Sequence, residues 1–200
     1  MTVIAAKKRT RSGKKPQIIA LAAEAFSERG YSAASLRDIG QRAGVTAASL
    51  YHHFENKEDL LRAIVMDGAD RLTATLKAEL ELENDPRARL ERVIRSHIAF
   101  TCENLQVTKI ILEEMRFLNE VDFANMREKN YAILDIYRAC LAELTEASGA
   151  EAQTNVTTTA FLIISVVNGF NRWYRPSGKM GLNQAIDRSV EFIMTGLSIL

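Results

Sequence analysis

Cysteine, proline and tryptophan are scarce in this chain: two, three and one in 200 residues. Cys102 and Cys140 fall within helical patterns, with no C-x-x-C spacing and no secretory context. They read as two buried thiols in a reducing compartment rather than as a disulfide or redox pair. No apolar run approaches the ~18–20 residues of a membrane span. The start, MTVIAAKKRTRSGKK, carries its basic run after a short apolar patch, which is not the order of a signal peptide. These absences predict a cytoplasmic protein. No stretch alternates apolar and polar residues as a half-buried strand would, and there is no internal repeat. Enzyme chemistry lacks its usual marks: no paired-carboxylate metal motif, no glycine-rich phosphate loop, no nucleophile beside an evident base. Glu113 and Glu114 are adjacent and point apart on a helix.

Net charge is only +1, so the total says nothing about nucleic acid, but the distribution does. Residues 1–53 hold nine Lys and Arg against three acids, a balance of +6, and the remainder therefore carries −5. A basic first quarter on an acidic body is the footprint of a protein that presents one end to phosphate. Six of those basic residues lie in the first fifteen positions, with no acid. That composition cannot build a core, so residues 1–15 read as a flexible basic arm, either a solvated tail or a segment that reaches DNA.

The chain is organised around SLRDIGQRAGVTAASLYHHFENK, residues 35–57. Ser35 can cap a helix, with Asp38 completing a capping box. Ile39 and Ala43 share a face, and Gly44 stands where the helix must stop and the chain turn sharply. Thr46 can cap a second, short helix from Ala47 to His53, with Val45 and Leu50 as a hydrophobic staple. The exposed residues of that helix, Ala47, Ala48, Ser49 and His52, are small or polar, which suits a helix lying in a groove. The pattern is a DNA-binding helix-turn-helix. Before it, Pro16 opens an amphipathic helix with Ile19, Ala22, Ala23 and Phe26 on one face, ended by Gly30. Phe26, Leu36, Ile39, Val45, Leu50 and Phe54 are the expected core of a three-helix unit.

Asn56 and Asp59 cap a long helix from Lys57 to about Leu82, broken by Asn84-Asp85-Pro86. Further helices are expected over 86–105, 107–118, 122–147 (buried face Phe123, Met126, Tyr131, Leu134, Tyr137, Leu141, Leu144), 152–174 and 182–200. The expectation is an all-α protein of about nine helices, with an arm over 1–15, a helix-turn-helix domain over 16–56 and a ligand-binding and dimerisation body over 57–200.

The segment Gly30–Leu61, GYSAASLRDIGQRAGVTAASLYHHFENKEDLL, joined to a helical body, resembles the TetR family of bacterial transcriptional regulators. That resemblance implies a homodimer on a near-palindromic double-stranded operator, usually a repressor, released by a small molecule held in the body. It places Ser35 and Arg37 near phosphate, Thr46, Ala47, Ala48 and Ser49 at base edges, Tyr51, His52 and His53 near the groove and backbone, and Lys57 on phosphate. The chemistry agrees: Ser and Thr can hydrogen-bond either base edge, and an alanine methyl can meet a thymine methyl. From the residues alone, Tyr51 also suits packing against the first motif helix and His53 a structural hydrogen bond.

The stretch NGFNRWYRPSGKMGLNQAIDRSVEFIMTGL, with ILEEMRFL, is similar to a TetR subgroup that includes steroid-catabolism repressors responding to acyl-CoA thioesters. That likeness makes Arg172, Trp173 and Arg175 candidates for a ligand's phosphate and adenine. Read as plain structure, the arginines cap a helix C-terminus and Trp173 packs in the core or a dimer interface. Phe100, Met115, Phe117, Tyr131, Tyr137 and Phe161 are candidate pocket walls, and the last two helices are the expected dimer interface. The competing readings are an architectural or interaction protein whose helix-turn-helix is only structural, and a small-molecule enzyme on a helical bundle.

Overall fold

The computed structural model describes residues 14–149 and 155–197, with the backbone alone of Ala47. Nine α-helices and no strand occur among the described residues: α1 (Lys14–Arg29), α2 (Leu36–Arg42), α3 (Ala47–His53), α4 (Lys57–Leu80), α5 (Pro86–Glu103), α6 (Leu105–Glu114), α7 (Glu120–Ser148), α8 (Val156–Trp173) and α9 (Leu182–Leu197). The all-α expectation stands. No helix among them is long and apolar enough to cross a membrane. The chain forms two compact units that part between Ile64 and Val65, inside α4. Of the basic arm, Lys14 and Lys15 open α1, and residues 1–13 lie outside the described residues.

In the first unit, Ile18, Ala22, Ala23, Ala25 and Phe26 of α1 are buried with Ile39, Leu50, Phe54, Leu60, Leu61 and Ile64. Ile18 takes the core position expected for Ile19, which is half-buried, as are Leu36 and Val45. Full burial of an Ile, Leu or Phe side chain contributes roughly 1.5–3 kcal/mol, so this shared core is the main favourable term set against the entropy of ordering these short helices. Gly30 ends α1 at a φ of 79°, its N–H bonded to the Phe26 carbonyl at 2.9 Å, a left-handed cap that glycine adopts without steric cost.

In the second unit α5 packs against α7, α8 and α9. Its stripe Leu90, Val93, Ile94, Ile98 and Phe100 is buried against Ile133, Tyr137 and Leu141 of α7, Ile163, Val167 and Phe170 of α8, and Ile186, Val190 and Ile193 of α9. Asp85 caps α5 by accepting the Ala88 N–H at 2.8 Å, with Pro86 in the first turn. The helix expected over 107–118 begins at Leu105 and stops at Glu114. A 3-10 turn follows over Met115–Phe117, and Leu118 is extended. Leu118 N–H bonds to the Met115 carbonyl at 3.0 Å, tightening the last turn before Asn119 caps α7. The buried face of α7 is Met126, Ile133, Leu134, Ile136, Tyr137, Cys140 and Leu141. Phe123 and Tyr131, expected on it, are exposed. Both Cys102 and Cys140 are free and buried, and burial pushes their thiols up to about 12 and about 11, which keeps them protonated.

Candidate nucleic-acid interface and a cavity in the second unit

The turn between α2 and α3 follows from its residues. Ser35 Oγ accepts the Asp38 N–H at 3.1 Å at the start of α2. At its end Gly44 sits at a φ of 61°. Gly44 N–H bonds to the Gln41 carbonyl at 3.2 Å and Val45 N–H to the Gly40 carbonyl at 3.0 Å, the paired bonds of a Schellman motif. Thr46 Oγ1 then accepts the Ser49 N–H at 3.2 Å and starts α3. Local chemistry thus sets where the two short helices stop and start, while Ile39, Leu50 and Phe54 hold them through the core of the unit.

One surface of α3 is open. Thr46, Ala48, Tyr51 and His52 are exposed, Ser49 and His53 are half-buried, and Leu50 and Phe54 point into the core. The side chain of Ala47 lies outside the described residues. Tyr51 is 57% exposed. Arg37 is exposed on α2, whereas Arg29 and Arg42 pair with Asp38 and Glu28 at 3.7 and 3.3 Å. Lys57 differs from a free surface lysine. Its Nζ donates to the carbonyl oxygens of Tyr31, Ser32 and Ala34 at 2.8, 3.2 and 3.1 Å, and it lies 4.4 Å from the Tyr31 ring centre. All three ammonium donors are thus engaged. Burial, and secondarily the charge of Glu58, raises the Tyr31 phenol above its ordinary range.

A cavity of about 430 Å³ opens in the second unit. Its wall is formed by Ala69 and Leu72 of α4, His97 of α5, Thr108, Ile111 and Leu112 of α6, Met115 of the 3-10 turn, Met126, Arg127, Asn130, Tyr131, Ile133 and Leu134 of α7, and Phe161, Ile164, Ser165 and Asn168 of α8. Ala69, Leu72, His97, Thr108, Met126 and Leu134 are buried, while Leu112, Arg127, Asn130, Tyr131, Phe161 and Ser165 are exposed. The cavity therefore has a closed, largely apolar end and an open, more polar one, the ordinary form of a small-molecule site.

Of the expected pocket walls, Met115, Tyr131 and Phe161 line this cavity. Phe100 is buried in the core with the Arg71 guanidinium 5.5 Å from its ring. Phe117 lies on the 3-10 turn under Arg116. Tyr137 is sealed behind the cavity, its OH 2.9 Å from His97 Nδ1. Arg172, Trp173 and Arg175 are exposed at the C-terminal end of α8, outside this cavity. Arg175 donates to the carbonyls of Tyr174 and Arg172 at 2.8 and 3.1 Å, and the Trp173 ring lies 4.5 Å from that of Phe170. His97, Thr108 and Asn168 escaped the sequence reading. The available signal was a histidine at the centre of the α5 apolar stripe, between Ile94 and Ile98.

A second surface lies on α8 and α9. Leu162 is 62% and Phe192 71% exposed. They line an open groove of about 630 Å³ with Thr159, Ile163, Val166, Ile193 and Gly196.

The chain matches known proteins over both units. A model of the bacterial regulatory proteins of the tetR family matches residues 18–64, and one of the tetracyclin repressor-like C-terminal domain matches residues 83–197. The transcriptional repressor KstR2 of Rhodococcus jostii is 25% identical over 190 residues, covering 94% of this chain and 93% of that protein. The transcriptional activator FasR of Mycolicibacterium smegmatis is 27% identical over 188 residues, covering 94% and 84%. Among solved structures, AibR in complex with isovaleryl coenzyme A and operator DNA superimposes with a TM-score of 0.80 at 26% identity, covering 90% of this chain and 97% of that one.

Proposed function

The chain belongs to the tetR family of bacterial regulatory proteins, DNA-binding regulators of transcription and not enzymes, and from that premise we propose that it is a homodimeric repressor released from a near-palindromic operator by a small molecule. The observation that carries the DNA-binding part is the exposed face of α3, capped at Thr46 and braced on α2 through the Gly44 turn. Thr46, Ala48 and Ser49 suit base edges, with Ala47 beside them in the chain; Ser35, Arg37, Tyr51, His52 and His53 suit phosphate and groove walls, and Lys57 adds its charge at the start of α4. With side chains this small, DNA shape contributes to discrimination.

The effector is proposed to occupy the 430 Å³ cavity, and the class favoured is an acyl-CoA thioester. AibR, of the same fold, has been solved in complex with isovaleryl coenzyme A and operator DNA. The acyl group and its thioester carbonyl fit the closed end, and Arg127 stands among the exposed wall residues. Arg172, Trp173 and Arg175 remain candidates for the nucleotide end only by the subgroup likeness. The groove on α8 and α9 is the proposed dimer face, since exposed apolar patches of this kind mark interfaces. A dimer reads two half-sites roughly 34–36 Å apart or a multiple of it. Ala69 and Leu72 place α4 in the cavity wall, so a ligand that binds one setting of α4 more tightly shifts the population between competent and incompetent spacings.

The test is binding of the protein to its own upstream DNA and to random duplex over a salt series, then titration with CoA thioesters. Selective, steeply salt-dependent binding that a thioester reverses supports the proposal; equal affinity for both duplexes removes it. Activation is the second reading, favoured by the likeness to FasR. It predicts that transcription from the bound promoter falls, rather than rises, in a strain lacking this protein.

A further inference from the structure

His97 is buried, 3% exposed, yet it lines the effector cavity. Its Nδ1 lies 2.9 Å from the Tyr137 hydroxyl, the one hydrogen bond that either side chain makes among the described residues. Tyr137 is completely buried. If Nδ1 carried the hydrogen, the phenol's own hydrogen would face no acceptor, and an orphaned buried donor is strongly disfavoured. The phenol therefore donates to Nδ1, which fixes the imidazole hydrogen on Nε2. His97 lines the cavity, its Nδ1 is taken up by Tyr137 and no described residue bonds to Nε2, which leaves Nε2 as the ring nitrogen open to a ligand there. Burial pushes the imidazole down to about 4, so the ring is neutral at ordinary pH.

We propose that His97 Nε2–H, oriented by Tyr137, is the donor that selects an effector carrying an uncharged carbonyl oxygen, such as a thioester or ketone, at the buried end of the cavity. The assignment rests on the reading of this cavity as the effector site. A carboxylate is disfavoured there because the buried wall residues, including Leu72, Met126 and Leu134, carry no charge to replace its lost water, and the cation of the wall, Arg127, is exposed. A plain alkyl chain is disfavoured because it would leave the Nε2–H dry and unpaired. Tyr137 acts through His97 and is a positioning residue.

Two measurements on the full chain test this. Imidazole-15N spectra, with His52 and His53 as the other two signals, should show His97 neutral and protonated on Nε2 in the free protein, and its Nε2–H should shift when octanoyl-CoA is added. Calorimetry should then compare octanoyl-CoA with S-octyl-CoA, its thioether without the carbonyl oxygen. We expect the thioester to bind the wild-type protein about tenfold or more tightly than the thioether. The preference should vanish in His97→Phe and weaken in Tyr137→Phe, which keeps the ring volume and frees the tautomer. An Nδ1–H tautomer overturns the proposal, as does an Nε2–H indifferent to the thioester or equal wild-type affinity for the two probes. Release of operator DNA by the same probes is scored separately. A thioester that engages His97 but leaves DNA bound removes the effector reading and keeps the His97 assignment.

Discussion

The ammonium group of Lys57 sits between the Tyr31 carbonyl oxygen, 2.8 Å away, and the face of the same tyrosine's ring, 4.4 Å from its centre. It also holds Ser32 and Ala34 through their carbonyls, so one side chain at the start of α4 closes the α1–α2 connection. A phosphate contact would have to share or displace these bonds. We therefore expect Lys57→Met to destabilise the first unit by about 2 kcal/mol, the scale of losing charge-assisted bonds at a half-buried site, and to weaken all duplexes alike. Urea melts followed by anisotropy titrations check this; unchanged stability with a reduced salt slope would show a purely electrostatic role.

Gly68 is the tightest glycine in the second unit. A Cβ built there would lie 2.5 Å from Val107 Cγ1 and 3.3 Å from Ile111 Cδ1. Val107 is β-branched and cannot swing aside easily. Gly68→Ala should cost about 1–3 kcal/mol by overpacking, and Val107→Ala should recover much of it. Denaturant unfolding of the two single variants and the double variant measures the coupling; additive losses would mean that the contact relaxes by another route.

Acid should destabilise the second unit through His97. Its folded value is down to about 4 against an ordinary 6.5. Above 6.5 both states are neutral and the stabilisation is fully present. As pH falls from about 6.5 towards about 4, the unfolded chain takes up a proton that the folded chain refuses, so stability falls by on the order of 3 kcal/mol. In His97→Gln that slope should disappear. Melts at several pH values compare the two proteins, and parallel curves would exclude His97 as the source.

Phe192 and Leu162 are exposed on one groove. Phe192→Asp should turn a dimer into a monomer by sedimentation, with helical content unchanged because the side chain supports no intrachain core. A Phe192→Asp protein that remains dimeric would place the interface elsewhere.

How much of this could be read in advance depends on the range of the forces involved. The caps at Ser35, Thr46 and Asn56 and the turn at Gly44 are local, each settled within a few residues, and they were legible. Ile18 and Ile19 are adjacent and equally apolar, so periodicity alone could not choose between them. Tyr131 carries helical spacing but faces the cavity, because the rotation of α7 is set by distant partners such as Ile163 and Val167. His97 stands out in its apolar stripe as a polar residue, but Thr101 on the same helix is buried too, and spacing alone does not tell which of them meets a cavity. The role of His97 needs Tyr137, forty positions away. The three engagements of Lys57 are equally non-local, and no motif announces them.

On α8, Phe161 and Ser165 face the cavity while Leu162 and Val166 face the open groove. A rigid helix cannot tilt on one side and stay still on the other. With the proposed ligand in the cavity and the proposed partner on the groove, occupancy and subunit pairing would be linked equilibria, and linkage is reciprocal. The potency of an effector should consequently drift with protein concentration near the dimer dissociation constant, so that the cell's abundance of the regulator becomes part of its dose response.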